Sequence, residues 1–462
     1  MSEAKGMGLK MRKSKTVVAG LVALTVTMTT VLTGCGGSKK TEDTSSETSG
    51  EVVWWGWTPG SPTNEKYIEE FNKEYPNIKV TWKQTSIDDY DATIRPALAN
   101  GQGVDAFQVS AGSGNGGIQV FGGQAIDLTD AVKAALGDDY KDKLNETSIT
   151  TMTVNGQLKA LGVGTVYSGN LWINQDLFDK YNVKIPANYD EWKEACKVFK
   201  ENGIEGFVQG AGQGAFNIDT FHAIADNVSP GTFTKATRGE VEWTDNSIVK
   251  ALELWKGLFD DGIMQKGALG LQQYPDANNL FMSQKAAMVM MGSWYTSNAL
   301  PDTMKAAIES ASSTKEPFTM IPIDFPDIAG TGNTGSIFGD LDYSTAVSAT
   351  SKNIKAATTF AVWLGTSKTG QQMIADSLNV VPSLKSATPD WDNVKLVNPE
   401  KQNESIKSYI EKSMNSGDNP RFAGINADMN QTMMDVLAGV AGGTITPEDG
   451  AAQLAATQAD SE

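Results

Sequence analysis

Apolar positions are distributed unevenly along the 462 residues. Thr16–Leu32 is a mostly apolar run, Gly36–Gly50 carries no large apolar side chain, and short apolar blocks recur from Glu51 onward. Their period alternates. Val52-Val53-Trp54-Trp55 predicts a strand that runs into a turn at Thr58-Pro59-Gly60. A helix bearing Tyr67, Ile68 and Phe71 follows and stops before Pro76, after which Ile78-Lys79-Val80-Thr81-Trp82 alternates as a second strand. A helix from about Asp88 to Ala99 and a third strand at Val104–Val109 complete the series. Strand, helix, strand, helix, strand is the signature of a parallel sheet with crossover helices.

The pattern continues with extended runs over Leu161–Asn170 that lead through a strand into a helix capped near Asn174. Asn188 caps another helix, which ends at Asn202-Gly203. Ser247–Asp260 places Ile248, Leu252 and Trp255 on one helical face, closed by Gly262. Phe281–Trp294 contains an uninterrupted apolar strand, as expected of a sheet covered on both faces. Tyr343–Ser348 predicts a further strand, with helices at Ile354–Leu364 and Thr369–Leu378. The C-terminus is helical, Thr446-Pro447-Glu448-Asp449 supplying a cap, a first-turn proline and first-turn acids.

The start of the chain changes the picture. Lys10, Arg12, Lys13 and Lys15 precede the apolar run, and Leu32-Thr33-Gly34-Cys35 closes it. A basic segment, an apolar segment and a small-residue junction form an export signal. The junction resembles the lipobox of bacterial lipoproteins, which makes Cys35 the expected lipidated N-terminus. Residues 1–34 are then removed, and 35–50 are expected to be a flexible tether, too polar to offset their ordering entropy. The formal net charge is −17, and losing the basic leader takes the mature chain to about −21. Such acidity argues against nucleic acid and anionic lipid as partners.

Two cysteines and one histidine limit the chemistry. With Cys35 lipidated, no internal disulfide forms, and Cys196 reads as a small buried hydrophobe on a helix. Any Ser-His-Asp or Cys-His unit would need His222, whose surroundings predict packing or capping. Zinc usually needs two or more His or Cys ligands, and no metal or other cofactor is expected. Gly112-Ser113-Gly114-Asn115-Gly116-Gly117 satisfies a dinucleotide-type glycine pattern, with Asp127 and Asp130 downstream. No good amphipathic helix follows it, so the glycines are read as allowing close approach of backbone to a ligand at a sheet edge.

Gly169–Phe178 and the following Asn188–Lys200 block, Phe281–Trp294, and Ser351–Gly370 with Val381-Pro382 together resemble extracellular solute-binding protein family 1. These are the sugar-binding lipoproteins of ABC importers, related to maltodextrin-binding protein. Gln284 stands where that family usually has glycine, and Ile173 where it often has tyrosine. The resemblance implies an α/β, periplasmic-binding-protein-like fold of type II, with two discontinuous α/β lobes around a ligand cleft. Residues 51–166 and 341–380 form the N-terminal lobe; 167–340 and 381–462 form the C-terminal one. The crossings are expected near Gly164–Gly169, Gly335–Leu341 and Val380–Leu384. The lobes close on the ligand, and the closed form meets the permease.

A sugar offers hydroxyl rims and apolar C–H faces, so its site needs aromatic plates with carboxylate, amide and hydroxyl groups. Trp294, just past the buried strand, is the leading plate; Trp57 is the second, with Trp54 assigned to packing. Tyr167 and Asn170 stand at the first crossing, and Ser110 and Asn115 on the glycine loop. Gln213, Phe216 and Asp219 fall where relatives place cleft groups, and Arg421 and Phe422 fall near another ligand segment of the family; Asp340 and Asp342, near the second crossing, are placed to grip sugar hydroxyls unless they belong to a solvated turn. The expected function is a monomeric, non-enzymatic receptor, lipid-anchored on the extracellular face of the cytoplasmic membrane, delivering a carbohydrate, with an oligosaccharide expected, to an ABC importer. A non-sugar solute on the same fold is the alternative. A secreted glycosidase would need two placed carboxylates that nothing in the sequence nominates.

Overall fold

The computed structural model describes residues 43–101, 103–112, 116–416, 419–422 and 425–461. Cys35, the leader and Asn115 lie outside the described residues.

Twelve strands occur in chain order: β1 (Ser49–Gly56), β2 (Asn77–Gln84), β3 (Ala106–Val109), β4 (Thr153–Val154), β5 (Gln157–Leu158), β6 (Ala160–Ser168), β7 (Asn170–Asn174), β8 (Glu205–Val208), β9 (Ala286–Met290), β10 (Met320–Asp324), β11 (Phe338–Val347) and β12 (Val381–Pro382). They build a six-stranded sheet ordered β12-β6-β11-β3-β1-β2 and a four-stranded sheet ordered β10-β7-β9-β8, with β4 and β5 as a small hairpin. β1 pairs in parallel with both β2 and β3, as alternating strands and helices require. β9 is buried at every position, in keeping with its unbroken apolar run.

Each sheet carries its own core. In the first lobe Trp54 packs on Trp82 at 4.5 Å and on Phe360 at 5.0 Å, so Trp54 is a packing residue. In the second, Trp192 meets Phe207 at 5.1 Å and Phe325 at 5.4 Å. His222 is fully buried there, stacked between Phe233 at 4.1 Å and Phe338 at 3.7 Å. Cys196 lies buried in the helix Tyr189–Glu201, where burial pushes its thiol up to about 12, leaving it protonated and inert.

The lobes are joined where β6 becomes β7. Gly169 alone separates these strands, at φ 99°, and a Cβ there would come within 2.1 Å of the Ser336 carbonyl oxygen. Only glycine permits this turn and this approach. The returning strand β11 pairs antiparallel with β6 from Phe338↔Ser168 onward, and β12 pairs with β6 on its other side at Thr165 and Gly164. Three segments therefore run side by side at the junction.

Two expectations need correction, and one departure finds its reason. Residues 43–50 are folded. Asp43 Oδ2 accepts the Lys355 N–H at 3.3 Å, Ser45 Oγ accepts the Ala356 N–H at 3.2 Å, and Thr44 N–H reaches the Lys352 carbonyl at 2.7 Å. The helix Ile354–Thr366 has no side-chain cap from its own Asn353, so the start of the chain supplies acceptors for its exposed N–H groups. A tether can thus include no more than residues up to 42. The third crossing also lies later, because Leu384 and Ala387 pack in the first-lobe core whereas Leu396 packs in the second. Finally, Gln284 adopts φ 57°, a left-handed conformation that favours glycine, which is why a glycine suits that position in the resembling family.

Candidate functional site

Two groups of predicted residues come together, one on each lobe. In the second lobe, β9 ends at Met290 and the chain turns at Gly292 into the short helix Ser293–Ala299. A Cβ on Gly292 would lie 2.1 Å from the Trp294 ring and 2.2 Å from the Tyr167 carbonyl oxygen. The bare glycine lets the indole lie flat over the backbone at the lobe junction. Ser293 Oγ accepts the Tyr167 N–H at 2.8 Å, tying this turn to β6.

The Trp294 ring is half-buried and packs against cores of both lobes. Its Nε1–H donates to the Tyr274 hydroxyl at 3.1 Å. Phe216, near the start of the helix Gly214–Val228, stands 6.2 Å from Trp294 and 6.3 Å from Tyr274 between ring centres. The Arg421 guanidinium lies 4.8 Å from the Trp294 ring centre and 4.5 Å from that of Phe422. Its Nε and Nη2 donate to the two oxygens of Asp219 at 2.7 and 2.5 Å. Asp219 is 1 % exposed, so its part is to hold Arg421, and a bidentate pair fixes that plane.

Two acids on β11 flank this group. Asp340 is buried and accepts the Phe422 N–H at 2.6 Å, anchoring the 421–422 segment to the strand. Asp342 is half-buried and makes no hydrogen bond or ion pair among the described residues. Burial pushes its carboxyl up to about 6, against a smaller downward pull from Arg421. Burial also opposes the charge on Arg421, but Asp219 above all, then Asp342 and Asp340, hold its pKa above the ordinary value. Tyr167 is pushed up to about 12, chiefly by burial.

In the first lobe, Trp57 follows β1 and is half-buried, its ring edge-on to Tyr90 at 4.9 Å. Buried Gln108 organises the turn: its Oε1 accepts the Trp57 N–H at 2.9 Å and the Thr58 N–H at 3.3 Å, and its Nε2 donates to the Thr58 carbonyl. Gly116, at φ 71°, lies across the Trp57 ring, where a Cβ would approach to 2.9 Å. Its N–H is held by Asp91 at 2.7 Å, and Ser110 and Gly117 bridge the ends of the glycine loop. The helix after this loop is only Ile118–Phe121, one turn long.

Asn170 is not a cleft group. It is 1 % exposed, bonded to the Tyr409 hydroxyl at 2.7 Å, and either orientation of its amide leaves it committed inside the core. Gln213 occupies the cap position of Gly214–Val228 without capping it, and its Oε1 has no partner. Tyr274 and Ser293 belong to the site and were missed. Tyr274 sits at a non-helical kink inside the short helical turn Gln273–Ala277, and nothing in the sequence ties it to Trp294, 20 positions away. A separate concavity of about 410 Å³ opens on the second lobe beside Asp226, Asn333, Ser336 and Asn419; none of the predicted residues lines it.

The family model described as bacterial extracellular solute-binding protein matches residues 54–371. An uncharacterised ABC transporter extracellular-binding protein of Pyrococcus horikoshii is 22% identical over 292 residues, covering 61% of this chain and 64% of that one. The chain thus spans just under two thirds of that curated relative. Among solved structures, one from a study of xylan utilisation by the thermophilic bacterium Caldanaerobius polysaccharolyticus superposes with a TM-score of 0.69 at 26% identity, covering 87% of this chain and 98% of that one. A chitin oligosaccharide binding protein gives a TM-score of 0.66 at 22% identity, over 89% of this chain and 98% of that one. A maltose-bound protein of T. maritima gives 0.69 at 17% identity, over 89% and 100%. These likenesses fix the fold as that of the type II periplasmic sugar-binding proteins.

Proposed function

The chain belongs to the bacterial extracellular solute-binding protein family, and from that premise we propose that it is a carbohydrate receptor of an ABC importer. In this reading Cys35 carries the lipid anchor, the lobes close about the junction at Gly169, and the loaded form meets the permease. Trp57 and Trp294 are the plates, and Ser110, Asn115, Tyr167, Gln213, Asp340, Asp342 and Phe422 are assigned as ligand contacts. Closure follows from a ligand that touches both lobes better when they are shut.

The observation that carries the reading is the ring group of Trp294, Phe216 and Tyr274 beside the carboxylates of β11. Stacking faces next to fixed acceptors match the apolar faces and hydroxyl rims of a sugar. Neighbouring structures associated with xylan, chitin oligosaccharide and maltose point the same way.

A second reading has one observation in its favour. A carboxyl raised to about 6, as at Asp342, is what a glycosidase uses as a general acid. One experiment separates the two. The purified protein is melted with xylo-, chito- and malto-oligosaccharides, and each mixture is then chromatographed. A receptor gains about 2.7 kcal/mol at a ligand concentration 100 times Kd, a shift of several degrees, and leaves the sugar intact. Cleavage of any sugar overturns the receptor reading. The absence of a shift across the panel overturns its carbohydrate part.

A further inference from the structure

The charges around Trp294 do not balance. Three carboxylates, Asp219, Asp340 and Asp342, act on one cation, Arg421. Arginine recognises an anionic ligand by offering two in-plane donors from one edge. Here the Nε edge is bound to Asp219 at 2.7 and 2.5 Å, while the Trp294 and Phe422 ring centres lie 4.8 and 4.5 Å from the guanidinium. On the first-lobe side a half-exposed Arg95 lies 3.6 Å from Asp91, and Asp91 holds the Gly116 N–H.

Asp342 completes the pattern. It stands on the strand that enters the first lobe, within the influence of Arg421, Tyr274 and Tyr343, and among the described residues it has no donor. A half-buried carboxylate without a donor favours a ligand that brings hydroxyls and opposes one that brings a second negative charge.

We propose that the site admits uncharged sugars and rejects acidic ones, uronates and sugar phosphates, and that Asp342 is the residue that sets this charge preference. The inference rests on the carbohydrate reading above and narrows it to a ligand class. Asp219 and Arg421 cancel one another, and two further carboxylates, Asp340 and Asp342, act on the same guanidinium. Asp340 is committed to the Phe422 N–H, which leaves Asp342 facing the ligand.

The test compares molecules of one shape and different charge. Calorimetry at pH 7.5 measures trigalacturonate against its methyl ester, and glucuronic-acid-substituted xylotetraose against its methyl ester, with plain galactotriose and xylotetraose as references. Within whichever backbone binds, the acid is expected to be at least tenfold weaker than its ester. Asp342→Asn is expected to narrow that gap at least fivefold while weakening the uncharged sugar, and a melting curve of the variant confirms that it folds. An acid that binds as tightly as its ester overturns the proposal, as does rejection of acid and ester alike, which is steric exclusion. A gap unchanged by Asp342→Asn removes Asp342 from the role. If neither these parent sugars nor any sugar of the melting panel binds, it is the carbohydrate reading that has failed, and the result is recognisably different.

Discussion

The two halves of the site present their rings by different means. In the first lobe, Trp57 is held by a buried neutral amide, Gln108, whose oxygen takes two backbone N–H groups and whose nitrogen returns to the Thr58 carbonyl. In the second, Trp294 is set over a bare glycine and backed by an ion pair, Arg421 and Asp219, sandwiched against rings. The neutral half is local: Gln108 and Trp57 come from adjacent strands. The ionic half joins residues 202 positions apart. A neutral shelf tolerates neighbours of any charge, whereas an ionic one fixes the sign of what can approach. The charge preference proposed above is assigned to neither shelf but to Asp342, on β11 of the six-stranded sheet.

This contrast is most exposed by removing one partner from each half. Arg421→Met leaves Asp219 buried without its cation and is expected to cost about 3–5 kcal/mol of stability, measured by chemical denaturation. Adding Asp219→Asn to it should recover most of that loss, since the stranded charge is then gone. The matching change in the first lobe, Gln108→Leu, strands two N–H groups and one carbonyl but no charge. It is expected to cost about 2–4 kcal/mol, with no recovery from any change of charge nearby. Equal behaviour of the two halves, or a double variant no more stable than Arg421→Met alone, would break the distinction.

Asp342 sharpens it with a smaller effect of opposite sign. Its carboxyl is raised from 3.8 to about 6 in the folded chain, so ionisation is disfavoured there relative to the unfolded state. Below about pH 4 the group is protonated in both states and contributes no penalty; the penalty grows as pH rises from about 4 to 6 and is complete above that. Asp342→Asn is therefore expected to stabilise the ligand-free protein by about 1–3 kcal/mol at pH 7.5 and by nothing at pH 3.5. Melting curves at the two pH values check this. A loss of stability at pH 7.5 would mean that Asp342 has a structural partner after all.

The sequence analysis reached the framework readily because its signals are local. Parallel β1, β2 and β3, the buried β9 and the tryptophan beyond it all follow from period and punctuation over a dozen residues. What escaped depends on distant partners. Asn170 looks like a polar group at a crossing, but Tyr409, 239 positions away, takes its amide into the core. Residues 43–50 look like a tether because they bury no apolar side chain; they are ordered instead by capping a helix more than 300 positions later. Val381-Pro382 was placed in the wrong lobe because a two-residue strand carries too little pattern to show which sheet it joins. The Arg421–Asp219 pair had no local signal of any kind.

The most direct test of the receptor reading is the affinity of Trp294→Ala for whichever oligosaccharide stabilises the parent protein, measured by calorimetry alongside the melting point of both ligand-free forms. Trp294 as a ligand plate gives at least a hundredfold loss of affinity with a melting point within about 2 °C of the parent. Undiminished affinity, or collapse of the ligand-free variant, would show that the ring serves the core and that the sugar, if bound, is held elsewhere.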